Sequence, residues 1–352
     1  MGGGGTCPFH DRRGERGVRA SVRGKIAVEE HVAVGGFTVP PLFRGSEVER
    51  RIGEVDGLRL EEMERHGIEV ALLSLTSPGV QAVLEVRRAV ELARAANDAL
   101  AEMVARHPGR YLGLAALPLQ DPEAAATELE RCVRELGFRG AMVNGYTNLG
   151  DPDTALYYDD LRFEPFWMQV ERLGVPVYLH PREPLPSQRR AYEGYPSLLT
   201  AAWGYGVETA THAIRLIVSG LFDRHPQVQL VLGHLGETLP FAIWRLEHAF
   251  GRRSPAQPLQ RPISRYLREN VFVSTSGHFS TRAMIATILE MGADRVLFAA
   301  DYPYETMAEA AEWFDHAPIN DADRSRIGRS NAERLFGVGP GERGGARRAA
   351  AR

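Results

Sequence analysis

The residues of this 352-residue chain best suited to chemistry are Glu29, His31, His180, His234 and Asp301, each placed where an apolar run ends. Glu29 and His31 close the first predicted strand, His180 the fifth, His234 the sixth and Asp301 the eighth. Strand residues at i and i+2 share a face about 6.6 Å apart, so Glu29 and His31 aim the same way while Glu30 turns toward the covering helices. Burying carboxylates and imidazoles in apolar core is costly unless they are paired or ligated, and a cation supplies the compensation. Glu29, His31, His180 and Asp301 form a mixed oxygen and nitrogen shell that suits Mn²⁺, Fe²⁺ or Zn²⁺. Mg²⁺ is less favoured, since it prefers oxygen and retained water. One divalent ion, Mn²⁺ first and Zn²⁺ or Mg²⁺ as alternatives, is expected, with substrate or water at the open positions.

Taken singly, a strand-end histidine or glutamate is more often structural than ligating; the joint set carries the argument. His66, His107, His225 and His316 lie near predicted helix C-termini, where an imidazolium complements the helix dipole. His212 and His248 fall inside helical patterns and read as structural. His278, just after the seventh strand, either lines a pocket or is solvated. His234 and Glu237 stand three apart in HLGE, a spacing that lets the carboxylate fix the imidazole tautomer for proton handling. The alternative is that Glu237 caps the first turn of its own helix.

The elements that position these groups are short Val, Ile and Leu runs alternating with helical patterns. Strands are predicted over 25–31, 68–75, 111–118, 138–144, 175–180, 228–234, 271–276 and 296–301, and helices over 84–106, 122–136, 209–222 and 281–291 among others. Apolar strands separated by helices indicate a parallel sheet covered outside, and eight such units predict a closed (β/α)8 TIM barrel. A doubly wound open sheet is the rival, but the first turn lacks the GxGxxG a dinucleotide requires. The long connections 35–56 and 148–160 are expected to be substrate loops at the C-terminal rim. Residues 24–338 form one catalytic domain in this reading, with Gly/Arg-rich tails over 1–23 and 339–352.

Net charge of −3 and an isoelectric point near 6.4 favour neither nucleic acid nor a membrane surface, so a small-molecule partner is expected. Two cysteines, Cys7 and Cys132, make no disulfide framework. No apolar leader or run of about 18 apolar residues is present, and a cytoplasmic, soluble protein is expected. Tyr146, Trp203, Tyr205, Phe279, Tyr302 and Tyr304 fall near rim segments and could line an aromatic-friendly pocket, although ordinary packing is the commoner role.

In order and spacing, IAVEEH, YLHP, LGHLGE, WRLEHAF and FAADYPYE resemble the metal-dependent non-oxidative decarboxylases of the amidohydrolase superfamily, over roughly 24–338. By pattern the chain is similar to the γ-resorcylate, 2,3-dihydroxybenzoate and 5-carboxyvanillate decarboxylases, and its ExH start points to the resorcylate branch. The resemblance implies that Glu29, His31, His180 and Asp301 bind the metal, that Asp301 moves a proton, and that His234 and Glu237 assist. It also implies that Asn144 lines the pocket, that Arg245 reaches a substrate across a subunit boundary in a homodimer or homotetramer, and that the substrate is an aromatic carboxylate with no organic cofactor. Binuclear hydrolases of this superfamily use HxH and a bridging lysine, whereas Lys25 is the only lysine here and precedes the ligands. A mononuclear hydrolase or hydratase is the alternative, and a non-catalytic binding barrel the second.

Overall fold

Apolar runs too short for helices pair as parallel staves, each followed by a helix that covers its outer side. The chain proceeds through β1 (Lys25–Val32), α1 (Leu58–Arg65), β2 (Ile68–Leu75), α2 (Val86–Arg106), β3 (Tyr111–Gly113), α3 (Pro122–Arg134) and β4 (Ala141–Asn144). A hairpin of β5 (Thr147–Leu149) and β6 (Asp151–Leu156) intervenes before α4 (Glu164–Leu173), β7 (Val177–His180) and α5 (Gly204–Val218). Then come β8 (Leu230–Leu232), α6 (Leu239–Phe250), β9 (Val271–Ser274), α7 (Thr281–Met291), β10 (Val296–Leu297) and α8 (Met307–His316). The computed structural model describes residues 22, 24–252 and 259–339; the expected tails, Cys7 included, fall outside these apart from Val22 and Gly339.

The staves form two arcs, β1-β2-β3 and β4-β7-β8-β9-β10, joined at two seams. At one, Ala115 bridges Ala141, and Met142 N–H reaches the Ala115 carbonyl at 3.0 Å. At the other, Glu30 bridges Tyr302, Val28 N–H reaches the Phe298 carbonyl at 3.1 Å and His31 N–H the Tyr302 carbonyl at 2.7 Å. The ring is closed, as the eight strand-helix units predict. Inside it Ile26, Val28, Val70, Leu72, Leu114, Met142, Tyr178, Val231 and Phe272 form one apolar cluster, while a larger one lies between staves and helices. Among the described residues, no helix is long and apolar enough to cross a membrane.

β1 carries an irregularity that matters for function. Ala27 pairs with Ala71 and Glu30 with Leu73, so β1 spends one residue more than β2 over this stretch. Ile26 and Val28 belong to the barrel interior and Ala27 and Val32 to the outer layer, so simple alternation from Val28 would send Glu29 outward. The extra residue resets the phase, re-aiming Glu29 and His31 at the mouth as bulges beside active sites commonly do.

Several expected boundaries shift. The strands expected over 111–118, 228–234 and 296–301 are regular only over Tyr111–Gly113, Leu230–Leu232 and Val296–Leu297. The helix expected over 209–222 starts earlier, at Gly204, and stops at Val218; Gly220 in the left-handed region (φ 76°) separates it from a short turn, Leu221–Arg224. Ser280 caps α7 and Asp121 caps α3, each accepting N–H groups of the first turn.

Candidate metal centre

At the C-terminal mouth, one ligating atom from each of Glu29, His31, His180 and Asp301 lies within 4.8 Å of every other. His31 Nε2 is 3.0 Å from Asp301 Oδ1 and 3.9 Å from Glu29 Oε1, and His180 Nε2 is 3.4 Å from Glu29 Oε1. Glu29 Oε1, His31 Nε2 and Asp301 Oδ1 are buried with no hydrogen-bond partner. Three orphaned polar atoms facing one point are what a cation would satisfy, so the residues fit the expected ion. The groups behind them are satisfied: Glu29 Oε2 accepts from the Tyr178 hydroxyl and from Ser274 Oγ at 3.1 Å, and His180 Nδ1 is 2.9 Å from the Pro181 carbonyl. An Nδ1–H donated there leaves the His180 Nε2 lone pair for the centre. Gly233 belongs to the same packing, since a Cβ there would lie 3.0 Å from Glu29 Oε2.

Electrostatics sort the four groups. Burial, reinforced by neighbouring His31, holds His180 well below the ordinary histidine value, as a neutral imidazole. Burial raises Glu29 against the opposing pull of His234. Burial would raise Asp301 too, but the adjacent His234 and His31 imidazoles outweigh it and keep its carboxyl below the usual range. For His234 burial pulls down, yet the Glu237 charge, the nearby Asp301 carboxylate and the hydrogen bond with Glu237 lift it well above the ordinary value.

His234 does not end a regular strand and Glu237 does not cap a helix. His234, Leu235, Gly236, Glu237 and Thr238 all adopt positive φ, between 51° and 86°, in a left-handed turn. Each non-glycine residue there costs about 1–2 kcal/mol, strain characteristic of functional sites. The turn sets Glu237 Oε1 2.7 Å from His234 Nδ1, while His234 Nε2 faces Asp301 Oδ2 at 3.6 Å. Asp301 is itself left-handed at φ 72°.

A cavity of about 210 Å³ opens onto the centre, lined by His180, His234 and Asp301 together with Leu42, Phe43, Tyr205 and Tyr304 among others. Two wider grooves, about 790 and 600 Å³, lie among the outer helices at Trp313 and Gln169, and none of Glu29, His31, His180 and Asp301 lines them. A cavity of about 150 Å³ accepts benzene, so the smaller space suits a substituted ring. Pro40, Leu42 and Phe43 come from the first long connection, as expected. The second, 148–160, contributes nothing to the lining; much of it is the β5–β6 hairpin. Tyr205 and Tyr304 line the cavity, Trp203 is exposed, and Tyr146, Phe279 and Tyr302 are not among the lining residues. His278 reaches the His234 carbonyl at 3.2 Å and is not a lining residue either.

Asn144 pairs with His180 in the β4–β7 ladder and is buried beside the cavity rather than in its wall, its Oδ1 without a partner. Arg245 stands exposed on α6, outside the cavity wall. Lys25 lies at the opposite end of β1, its Nζ 3.0 Å from Asp315 Oδ1, away from any bridging position. His212 and His225 are structural: the former accepts the Tyr158 N–H at 3.1 Å, the latter sits between Glu164 and Glu171. Sequence reasoning missed Tyr178, Ser274 and Ser276; Tyr178 is two residues before His180, and that i+2 phase toward the barrel interior is the signal that could have found it.

Comparison with known proteins agrees with this geometry. The amidohydrolase family pattern matches residues 31–338. A γ-resorcylate decarboxylase from Rhodococcus jostii (strain RHA1) is 50% identical over 327 residues, covering 90% of this chain and 99% of that one. A crystal structure of 2,6-dihydroxybenzoate decarboxylase complexed with 2,6-dihydroxybenzoate superposes with a TM-score of 0.86 at 49% identity, covering 90% of this chain and 100% of that one. A dihydroxybenzoic acid decarboxylase from Polaromonas sp. JS666, with bound manganese and the inhibitor 2-nitroresorcinol, gives 0.85 at 48% identity, covering 90% and 98%. With a closed barrel, a four-residue centre at its mouth and a family match spanning nearly the whole of it, the chain belongs to the amidohydrolase family.

Proposed function

We propose that this protein is a metal-dependent, non-oxidative decarboxylase of a hydroxylated aromatic acid of the resorcylate or dihydroxybenzoate type. The observation that carries the reading is the convergence of Glu29, His31, His180 and Asp301, three of them with orphaned ligating atoms, beside a cavity sized for one ring. Relatives of near-half identity named as γ-resorcylate or dihydroxybenzoate decarboxylases, one of them with bound manganese, support it. Held by Glu29, His31, His180 and Asp301, a divalent ion, Mn²⁺ by preference, would supply positive charge to orient the substrate's carboxylate.

The chain's own residues then manage one proton. Glu237 holds His234 by Nδ1, leaving Nε2 turned to Asp301 Oδ2. The proton resides on His234, and Asp301 Oδ2 takes it and delivers it to the ring carbon bearing the carboxylate. The C–C bond breaks, its electron pair restores the aromatic ring, CO2 leaves, and Asp301 recovers a proton from solvent through His234. Asn144, buried beside the cavity with its Oδ1 unpartnered, backs the substrate site in this reading.

The reading extends to one catalytic domain over residues 24–338 acting in the cytoplasm, where the buried free thiol of Cys132 suits a reducing compartment. It also includes a homodimer or homotetramer in which Arg245 serves the partner's substrate. Phe241 and Trp244, 89% and 70% exposed on the same helix, support that assembly. The test is CO2 release from 2,6-dihydroxybenzoate by manganese-loaded protein, against hydrolysis of lactones and amides. Hydrolysis without CO2 release would overturn the decarboxylase reading.

A further inference from the structure

Three consecutive peptide planes at the end of the last stave are gripped from β1, two of them by a side chain. The Glu30 carboxylate accepts the Ala300 N–H through Oε1 at 2.9 Å and the Tyr302 N–H through Oε2 at 3.1 Å. Between them the Glu29 carbonyl accepts the Asp301 N–H at 3.0 Å. Planar peptides leave a residue only φ and ψ, so fixing the two planes that flank it fixes its conformation. The bond to Glu29 holds the plane before Asp301; the bond to Glu30 holds the plane after it. That conformation is left-handed, φ 72°, and a non-glycine residue stays there only where its surroundings over-determine it.

Glu30 is fully buried and is not one of the four converging ligands. Arg59, also fully buried, donates to the His31 carbonyl at 2.8 Å and lies 4.7 Å from the Tyr302 ring, so the same seam is braced from the helix layer. We infer that Glu30 is a positioning residue for the metal centre, its carboxylate folding the Ala300–Tyr302 turn so that Asp301 Oδ1 meets the ligands of β1. The phase reset in β1 gives Glu30 this role by turning it away from the mouth while its two neighbours enter. The inference rests on reading Glu29, His31, His180 and Asp301 as a metal site, and loss of an outer partner of such a site typically costs about 10- to 100-fold in affinity.

The test is Mn²⁺ binding to chelator-stripped protein, measured by calorimetry, with Mn²⁺ electron paramagnetic resonance at saturation. Glu30→Gln keeps the size but sets an NH2 donor against one of the two N–H donors. Glu30→Asp keeps the carboxyl group but shortens the reach. Both are expected to raise the Mn²⁺ Kd about 10- to 100-fold and to change the saturated spectrum, while the metal-free protein still melts cooperatively. A folded Glu30→Gln protein with the parent's Kd and spectrum would overturn the inference; if that variant does not fold, Glu30→Asp decides on the same readings. Failure of both to fold would make Glu30 a general folding requirement and overturn the narrower role. A parent protein that binds no Mn²⁺ would bring down the metal reading itself, a result distinct from normal parent binding with unaltered variants.

Discussion

Replacing Tyr178 by Phe tests how the metal-facing oxygen of Glu29 is chosen. Glu29 Oε2 accepts from the Tyr178 hydroxyl and from Ser274 Oγ, whereas Oε1 has no donor and looks toward His31 and His180. Phenylalanine keeps the ring in the apolar barrel interior beside Val28 and Val231 and deletes only the donor. A hydrogen bond to a charged group contributes about 1.5–3 kcal/mol. Ser274 remains and takes up part of that, leaving a deficit of about 1–2 kcal/mol, or about 5- to 30-fold in the Mn²⁺ Kd. Calorimetric titration of metal-stripped protein measures it, and kcat at saturating Mn²⁺ should stay near the parent's. A correctly folded Tyr178→Phe protein whose Kd lies within about two-fold of the parent refutes the reasoning. So does a loss of kcat that persists at saturation with an unchanged Kd, because the hydroxyl would then serve the chemistry itself.

Asp301→Asn should abolish CO2 release while part of the metal is retained, measured by elemental analysis alongside turnover; an unchanged rate removes Asp301 as proton donor. Glu237→Gln should lower kcat about 10²- to 10⁴-fold with the Mn²⁺ Kd little altered, since Glu237 touches His234 and none of the four ligands. Adding Mn²⁺ at about 100 times its Kd to stripped protein should stabilise it by about 2.7 kcal/mol and raise Tm by about 5 °C; identical melting curves count against the site. His212 offers a pH signature away from the centre. Burial, with a smaller push from Arg215, lowers its value to about 3. The unfolded state therefore takes up a proton near pH 6.5 that the folded state refuses, so this stability is whole above about pH 6.5 and is lost as pH falls toward 3. His212→Gln, which still accepts the Tyr158 N–H, should flatten the fall in urea-derived stability between about pH 6 and 5 by about one proton; an unchanged slope rejects the assignment.

Much of this was legible in the chain because period and position carry it. Eight apolar runs with helices between them name the barrel, and polar groups at their C-terminal ends name the mouth. What periodicity cannot carry is the phase of a strand. Read as strict alternation from Ile26 and Val28, β1 points Glu30 inward and hides Glu29 and His31; one extra residue reverses this, and nothing in IAVEEH marks where it enters. The same limit explains HLGE. A glutamate three residues after a histidine suits a helix start, but the structure uses a left-handed turn, and only Gly236 among its residues advertises positive φ. Both departures occur where a local rule yields to the demand that side chains from separate staves meet at one point. The seam between β1 and β10 answers that demand in a second way: beyond Leu297 the last stave leaves regular pairing, and a buried carboxylate from the first stave supplies acceptors a ladder would have given. In the sequence Glu30 is only the residue between two ligands that turns toward the covering helices. In the fold the two carboxylates divide the work, one turned to the ion and the other to the backbone that brings the opposing ligand to it.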